Sequence, residues 1–323
     1  MKTPFSTSNR EPLVALFLLL LVSCSPKAEY QSTSVPEDLP YLVVLGVAQD
    51  AGYPQAGQKE EWAKVRSGKA RQQHAVSLGL VDPATNQRWL FEATPDFNIQ
   101  LEKMDQFSET EQYPYDGIFV THGHIGHYTG LMQLGREAMG ADAVPLYAMP
   151  RMKEFLTNNG PWSQLVSLKN IALTDIQSGQ SVKLNERISV TPLQVPHRDE
   201  FTETVGFLID CLDKQVLFIP DIDKWQKWDQ DILAMIQQVD AALLDASFFK
   251  NGEIPGRDMA EIPHPFVEES MALFDGLSTE DKAKVHFIHF NHTNPIIFPQ
   301  SPEHKEVLEK GYKVARDGQV FTF

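Results

Sequence analysis

The feature that most constrains this chain is the segment Thr121-His122-Gly123-His124-Ile125-Gly126-His127-Tyr128-Thr129-Gly130-Leu131. It follows Gly117–Val120, a short β-branched and aromatic run that reads as a strand. Three histidines at offsets 0, 2 and 5 therefore fall on a glycine-flanked strand-to-helix loop. Imidazoles placed in that way converge and leave coordination positions open, a set that zinc and other borderline metals accept. Cysteine offers no rival chemistry. Only Cys24 and Cys211 are present, so neither a disulfide framework nor a cysteine-rich zinc ribbon can be built, and the ten histidines are the natural ligands.

The rest of the composition narrows the class. With 42% hydrophobic and 22% charged residues the chain matches a globular domain. Its net charge of −15 argues against a phosphate-backbone binder, so no nucleic-acid partner is expected. Strands are expected at Tyr41–Val47, Ala75–Val81, Arg88–Glu92, Gly117–Val120, Ile188–Val195, Val205–Ile209, Val216–Ile219, Ala241–Asp245, Val285–Phe290 and Val320–Phe323. Helices are expected at Phe97–Met104, Tyr128–Met139, Met152–Asn158, Lys224–Gln238, Phe266–Phe274 and Pro302–Gly311. Strands come first, then a mixture, then strands again. That order predicts a single α/β domain with two sheets and outer helices, in two halves meeting near residue 180.

The N-terminus reads as an address. Lys2 and Arg10 precede the apolar run Leu13–Val22, whose ten residues fall short of the ~20 that a membrane-spanning helix needs. The run is a signal-peptide core, and Leu21-Val22-Ser23-Cys24 resembles a bacterial lipobox, in which the cysteine is lipidated. Residues 1–23 are thus expected to be a lipoprotein signal and Cys24 the palmitate-bearing N-terminus. Ser25–Pro40, rich in Ser, Pro, Glu and Gln, reads as tether, giving bounds of 24–40 for the tether and 41–323 for the domain. The expected location is the bacterial cell envelope, facing the periplasm, with membrane contact through the N-terminal lipid only.

The histidine loop resembles the H-x-H-x-D-H loop of the metallo-β-lactamase superfamily, and later residues match that superfamily in order. His197 follows Val195-Pro196, Asp221 follows Phe218-Ile219-Pro220, and His289 lies in Phe287-Ile288-His289-Phe290-Asn291-His292. The resemblance implies an αββα sandwich with its ligands at strand ends along one edge. Three further segments are similar to the B protein family of pyrroloquinoline quinone (PQQ) biosynthesis: Leu45 to Gln55, Trp89 to Asp96, and Ile288 to Pro295. The chain departs from that family twice. Gln55 to Gln73 contains no cysteine, where the family commonly carries a zinc-binding cluster, and Gly126 stands where the loop aspartate belongs.

The resemblance implies one metal ion on His122, His124 and His197, and a second on the loop aspartate, His127 and His289, with Asp221 bridging. With Gly126 in the aspartate's place, the expectation is one firmly bound ion, zinc with iron or manganese as alternatives, and a weakened second position. An aspartate restored at 126 is then expected to add a second equivalent. Alternatively His292 or a water fills the gap; otherwise His292 supports His289 from behind. Asp221 is expected to orient a metal-activated hydroxide. His264, between Pro263 and Pro265 and downstream of Asp245-Ala246-Ser247, reads either as the acid that protonates a leaving group or as a loop anchor.

No G-x-S-x-G elbow, dinucleotide glycine motif or Walker sequence is present. His74, His286 and His304 read as packed or surface residues, Cys211 as a lone buried strand residue, and Trp225 with Trp228 as packing. The expected function is a metallohydrolase acting on a small ester, amide, lactone or phosphodiester. A PQQ-type metal-dependent oxygenase and a non-catalytic metal- or ligand-binding lipoprotein are the alternatives.

Overall fold

Short β-branched and aromatic runs, separated by turns, form fourteen strands among the described residues, which are residue 1 and residues 35–108 and 113–323 of a computed structural model. Apart from Met1, the signal segment, Cys24 and the tether up to residue 34 lie outside the described residues. The strands are β1 (Tyr41–Gly46), β2 (Ser77–Asp82), β3 (Gln87–Phe91), β4 (Gly117–Phe119), β5 (Val144–Ala148), β6 (Ile171–Asp175), β7 (Val182–Lys183), β8 (Ile188–Gln194), β9 (Val205–Cys211), β10 (Lys214–Ile219), β11 (Ala241–Asp245), β12 (Val285–Ile288), β13 (Lys313–Val314) and β14 (Val320–Thr322). The helices that bear on the site are α1 (Lys59–Arg66), α2 (Phe97–Asp105), α3 (Ile125–Tyr128), α4 (Pro150–Asn158), α5 (Trp162–Ser167), α6 (Ile232–Gln238) and α7 (Val267–Leu273).

One sheet has the order β14-β1-β2-β3-β4-β5-β6 and the other β13-β12-β11-β10-β9-β8-β7. In the first, β14 to β3 pair antiparallel and β3 to β6 parallel. In the second, β7 to β10 pair antiparallel and β10 to β13 parallel. The halves share one pairing sequence, as the strand-rich segments on either side of residue 180 predict. Two antiparallel steps restore direction, so β1, β3 and β4 run the same way in one sheet, and β8, β10, β11 and β12 in the other.

Strand alternation divides the apolar residues between layers. Leu42, Val44, Trp89, Phe91 and Phe119 enter the same cluster as Val190, Phe207, Ile209 and Phe218 of the second sheet. Phe91 stacks on Phe119 with ring centres 4.9 Å apart, and both meet Phe207 edge-on, at 5.3 and 5.5 Å. The alternate residues Val43, Leu45, Leu90 and Ile118 pack with α2, α4 and α5. On the far side, α6 and α7 bring Ile232, Ile236, Val267 and Met271 into the second sheet's cluster. The result is the expected α/β sandwich, within a compact unit spanning Thr33–Phe323. Among the described residues no helix is long and apolar enough to cross a membrane.

Two helices differ from expectation. The segment Tyr128–Met139 is not one helix: α3 gives way to a 3₁₀ turn over Thr129–Leu134. Gly130 explains the change. Its N–H donates to Ala93 O at 2.8 Å, and a Cβ there would stand 2.7 Å from Phe97 Cβ and closer still to Thr94 O. The chain is pressed against the turn after β3 and cannot keep α-helical spacing. Lys224–Gln238 likewise splits into a 3₁₀ turn, Trp225–Lys227, and α6, which starts where Asp231 accepts hydrogen bonds from Leu233 N and Ala234 N. Trp225 and Trp228 are buried in packing, but their indoles donate to different elements, Ser270 Oγ and Gln194 O, each at 2.8 Å. The break itself lies at Trp228, whose backbone is extended, φ −85° and ψ 139°.

Candidate metal centre

The parallel sense of the strands decides where polar residues collect. Asp50 lies past the end of β1, Glu92 past β3, His122 past β4, His197 past β8, Asp221 past β10 and His289 past β12, while Asp245 closes β11. Backbone bonds tie this edge together across the sandwich: Gln49 N donates to Phe290 O at 2.8 Å, Phe290 N to Val47 O at 2.9 Å, and Val205 N to Thr121 O at 3.1 Å. The histidine loop is fixed by Gly123 N on Thr202 Oγ1, 2.8 Å.

Asp221 stands at the centre. Its carboxylate oxygens lie 3.4 Å from His122 Nε2, 3.3 Å from His197 Nε2, 3.6 Å from His127 Nε2 and 4.0 Å from His289 Nε2. His122 Nε2 and His124 Nδ1 are 2.7 Å apart. Donor atoms fall within 4.8 Å of one another in three sets: His122, His124, His197 with Asp221; Asp50, His127 with His289; and Asp221, Asp245 with His264. The six residues expected as ligands are therefore brought together, and so is His264.

Buried polar atoms without partners test whether this set fits a metal. His127 Nε2, both nitrogens of His197, His289 Nε2 and Asp221 Oδ1 are buried and make no hydrogen bond. Leaving such atoms unpaired is costly. Here they face one another across a shared space, the arrangement a divalent cation would satisfy. Protonation favours the same reading. Burial, reinforced by the neighbouring imidazoles, holds His122 well below the ordinary histidine pKa, and burial lowers His197 to about 4, so both keep free lone pairs.

Outer residues orient the ligands. Glu92, fully buried, accepts from Thr121 N at 2.8 Å and pairs closely with His127 Nδ1, which turns His127 Nε2 toward the cluster. Burial opposes charge on His127, but Glu92 and Asp50 outweigh it and raise its pKa well above the ordinary value. Ser247 Oγ contacts His289 Nδ1 at 2.9 Å and donates to Asp245 Oδ1 at 2.8 Å. His264 Nδ1 lies 2.8 Å from Asp245 Oδ2 and 3.2 Å from Asp221 Oδ1. Burial disfavours its charged form, yet Asp245 and Asp221 prevail and raise its pKa to about 9.

Two expectations are corrected. His292 neither joins the ligand sets nor backs His289; its Nδ1 lies 2.6 Å from Glu61 Oε1 of α1, and Ser247 supports His289 instead. The premise that Gly126 leaves His127 and His289 without a carboxylate of their own also fails. Asp50 Oδ1 is 3.3 Å from His127 Nε2. Sequence reasoning also missed Glu92, Asp245 and Ser247 as supports. Their shared signal was a polar residue at or just past a strand's end.

Residues 87–290 match the family model described as a beta-lactamase superfamily domain. The chain belongs to the beta-lactamase superfamily. Within that superfamily it is similar to the coenzyme PQQ synthesis protein B of Methylorubrum populi, 27% identical over 86% of this chain and 98% of the relative. The crystal structure of Zn(2+)-bound PqqB from Methylobacterium extorquens superposes with a TM-score of 0.74 at 22% identity, covering 88% of this chain and all of that one. A diphosphatase of the PhnP family gives 0.60 at 21%, covering 88% and 97%. The superfamily's sandwich is thus shared along nearly the full length of each neighbour, and the site described above supports a bound metal such as zinc.

The superfamily edge opens into a cavity of about 230 Å³ lined by Asp50, Arg198, Phe248, Arg257, His264 and His292. Its outer wall is the loop between β11 and α7, held by a small apolar cluster of Phe248, Met259, Ile262 and Phe266.

Proposed function

We propose that the chain is a metallohydrolase that takes a small anionic substrate, with a phosphodiester the best fit among ester, amide, lactone and phosphodiester. The observation that carries this reading is the cavity itself: Asp50 and His264, each a member of one of the metal-donor sets, share its lining with Arg198 and Arg257. Two guanidiniums can offset a phosphate's charge and bond to its oxygens in a fork. His122, His124, His197 and Asp221 would hold a divalent ion. Bound there, such an ion lowers the pKa of its water from about 15.7 toward ~7 and polarises a substrate oxygen. Asp221 would also accept a hydrogen bond from the attacking water and orient it. Nδ1 of His264 is held by Asp245, which favours the charged imidazole, so its Nε2 would supply a proton to the departing oxygen.

Assay of the full chain with zinc or manganese against bis-aryl phosphates, aryl esters and lactones tests the reading. Phosphodiester turnover is expected, with His264→Ala lowering kcat about 10²–10⁴-fold at unchanged metal content. Turnover that His264→Ala leaves intact would remove the assigned acid.

Similarity to PQQ synthesis protein B supports a second reading, a metal-dependent oxygenase, since imidazole donors with open positions suit Fe(II) as well as zinc. Iron retention with oxygen consumption and no hydrolysis is its expected signature. A metal-binding lipoprotein without turnover of either kind is the third. The proposed location is the bacterial envelope, through a lipid on Cys24. Supporting it is the sequence of the first 24 residues; Cys24→Ser is expected to move the protein from the membrane to the soluble fraction.

A further inference from the structure

Gly126 and Asp50 compete for the same space. A Cβ at position 126 would lie 2.8 Å from Asp50 Cβ, and nearer still to Asp50 Cα and Oδ1. Because the backbone of residue 50 passes through that space, no side chain fits at 126 without displacing it. Glycine is required there by close approach, not by dihedral angle. The strand extension after β1 also bends at this point. Asp50 has φ +30°, a conformation that few residues adopt and that aspartate tolerates better than most, and the bend turns its carboxylate toward the cluster.

What that carboxylate meets is a pair of waiting donors. Glu92 occupies His127 Nδ1 and Ser247 contacts His289 Nδ1, so each ring directs Nε2 toward Asp50 and Asp221. Both Nε2 atoms are buried and lack hydrogen-bond partners. We infer that Asp50 is the carboxylate ligand of a second metal position formed with His127 and His289 and sharing Asp221. It stands in place of a loop aspartate at 126, delivered from a different strand. The ligand charge lost from the histidine loop is thereby restored in space, and the chain has two metal positions of comparable donor sets. The inference rests on the metal-centre reading and is independent of which reaction the centre performs.

Zinc counting on the full chain dialysed against graded zinc buffers tests it, with cobalt(II) absorption as a second readout. The unaltered chain is expected to bind two equivalents. Asp50→Asn keeps the shape and suits a positive φ, yet should weaken one equivalent by at least about 10–100-fold, the loss that even an outer partner of a metal ligand brings. His124→Ala should lose the other equivalent and keep this one. Gly126→Ala removes no donor atom, yet should lose the same equivalent as Asp50→Asn by pushing residue 50 aside. Gly126→Asp should likewise bring no gain, because the position is sterically closed. Two equivalents of unchanged affinity in Asp50→Asn, or saturation of the unaltered chain at one, would overturn the assignment. If Gly126→Ala fails to fold, Asp50→Asn decides alone. Two zinc equivalents without phosphodiester turnover would sink the proposed reaction and leave this assignment standing.

Discussion

Glu92 shows how much of the centre depends on a residue that never faces the cavity. It is fully buried, adopts φ +76°, and accepts from the backbone and hydroxyl of Thr121 while holding His127. A buried carboxylate in that setting survives only if every partner is a donor. Glu92→Gln keeps the volume but sets an amide N–H₂ against donors it cannot satisfy. Its expected effects are a 10–100-fold weaker zinc affinity at the His127 position and a loss of about 1–3 kcal/mol in urea unfolding. An unchanged zinc isotherm would show that His127 is oriented without it. The same residue marks the limit of sequence reading. The spacing of His122, His124 and His127 was legible because one loop carries all three. Glu92 and Asp50 reach His127 from other strands, and no local pattern records which carboxylates a fold will bring to one imidazole.

At the scale of elements, periodicity located strands buried on both faces better than it located everything else. Ala241–Asp245 matched to the residue, because five consecutive buried positions leave little choice. The strands β5 and β6 were not anticipated: Pro145 interrupts the first, and the second fully buries only Ile171. Helix α1 has no buried residue and so no apolar stripe to betray it. Gly130 is the clearest case of tertiary contact overriding local pattern. Gly130→Ala is expected to reach the upper end of the ~1–3 kcal/mol that overpacking brings, whereas Gly276→Ala, with nothing within 4 Å of a new Cβ, should be nearly neutral. Equal urea midpoints for the two variants would contradict that account.

A pH effect belongs to β12. His286 is half-buried, edge-on to Phe321 at 4.8 Å, with Gln319 Nε2 3.3 Å from Nδ1. Burial, aided by Lys313 and Arg316, lowers its pKa to about 4. Between pH 4 and 6.5 the unfolded chain therefore binds the proton more readily than the folded one. Stability falls as pH drops through that window and the contribution levels off below about 4. His286→Phe should flatten this part of the Tm profile. A profile of unchanged slope would assign the acid sensitivity elsewhere.

At the scale of the molecule, fold class was legible because two strand-rich halves each need a partner face, and a sandwich is the architecture that gives both of them one. The site lies where that need ends. His122, His124, His127 and Asp50 follow strands of one sheet, and His197, Asp221 and His289 follow strands of the other. Phe91, Phe119, Phe207 and Phe218 hold the sheets together beneath them, whereas the edge above is a cluster of imidazoles and carboxylates with buried unpaired atoms. A metal held by these residues would thus also cross-link the sheets. A ligand that binds only the folded state stabilises it by mass action, about 4 kcal/mol when free metal exceeds Kd 1,000-fold. For a domain of this size that corresponds to roughly 10 °C in Tm. Chelation of the zinc-loaded chain should lower Tm by about that amount, and the shift should return in proportion to the logarithm of added zinc. If chelation removes the zinc and Tm stays fixed, the aromatic core alone holds the sheets, and the centre's geometry is independent of its ion.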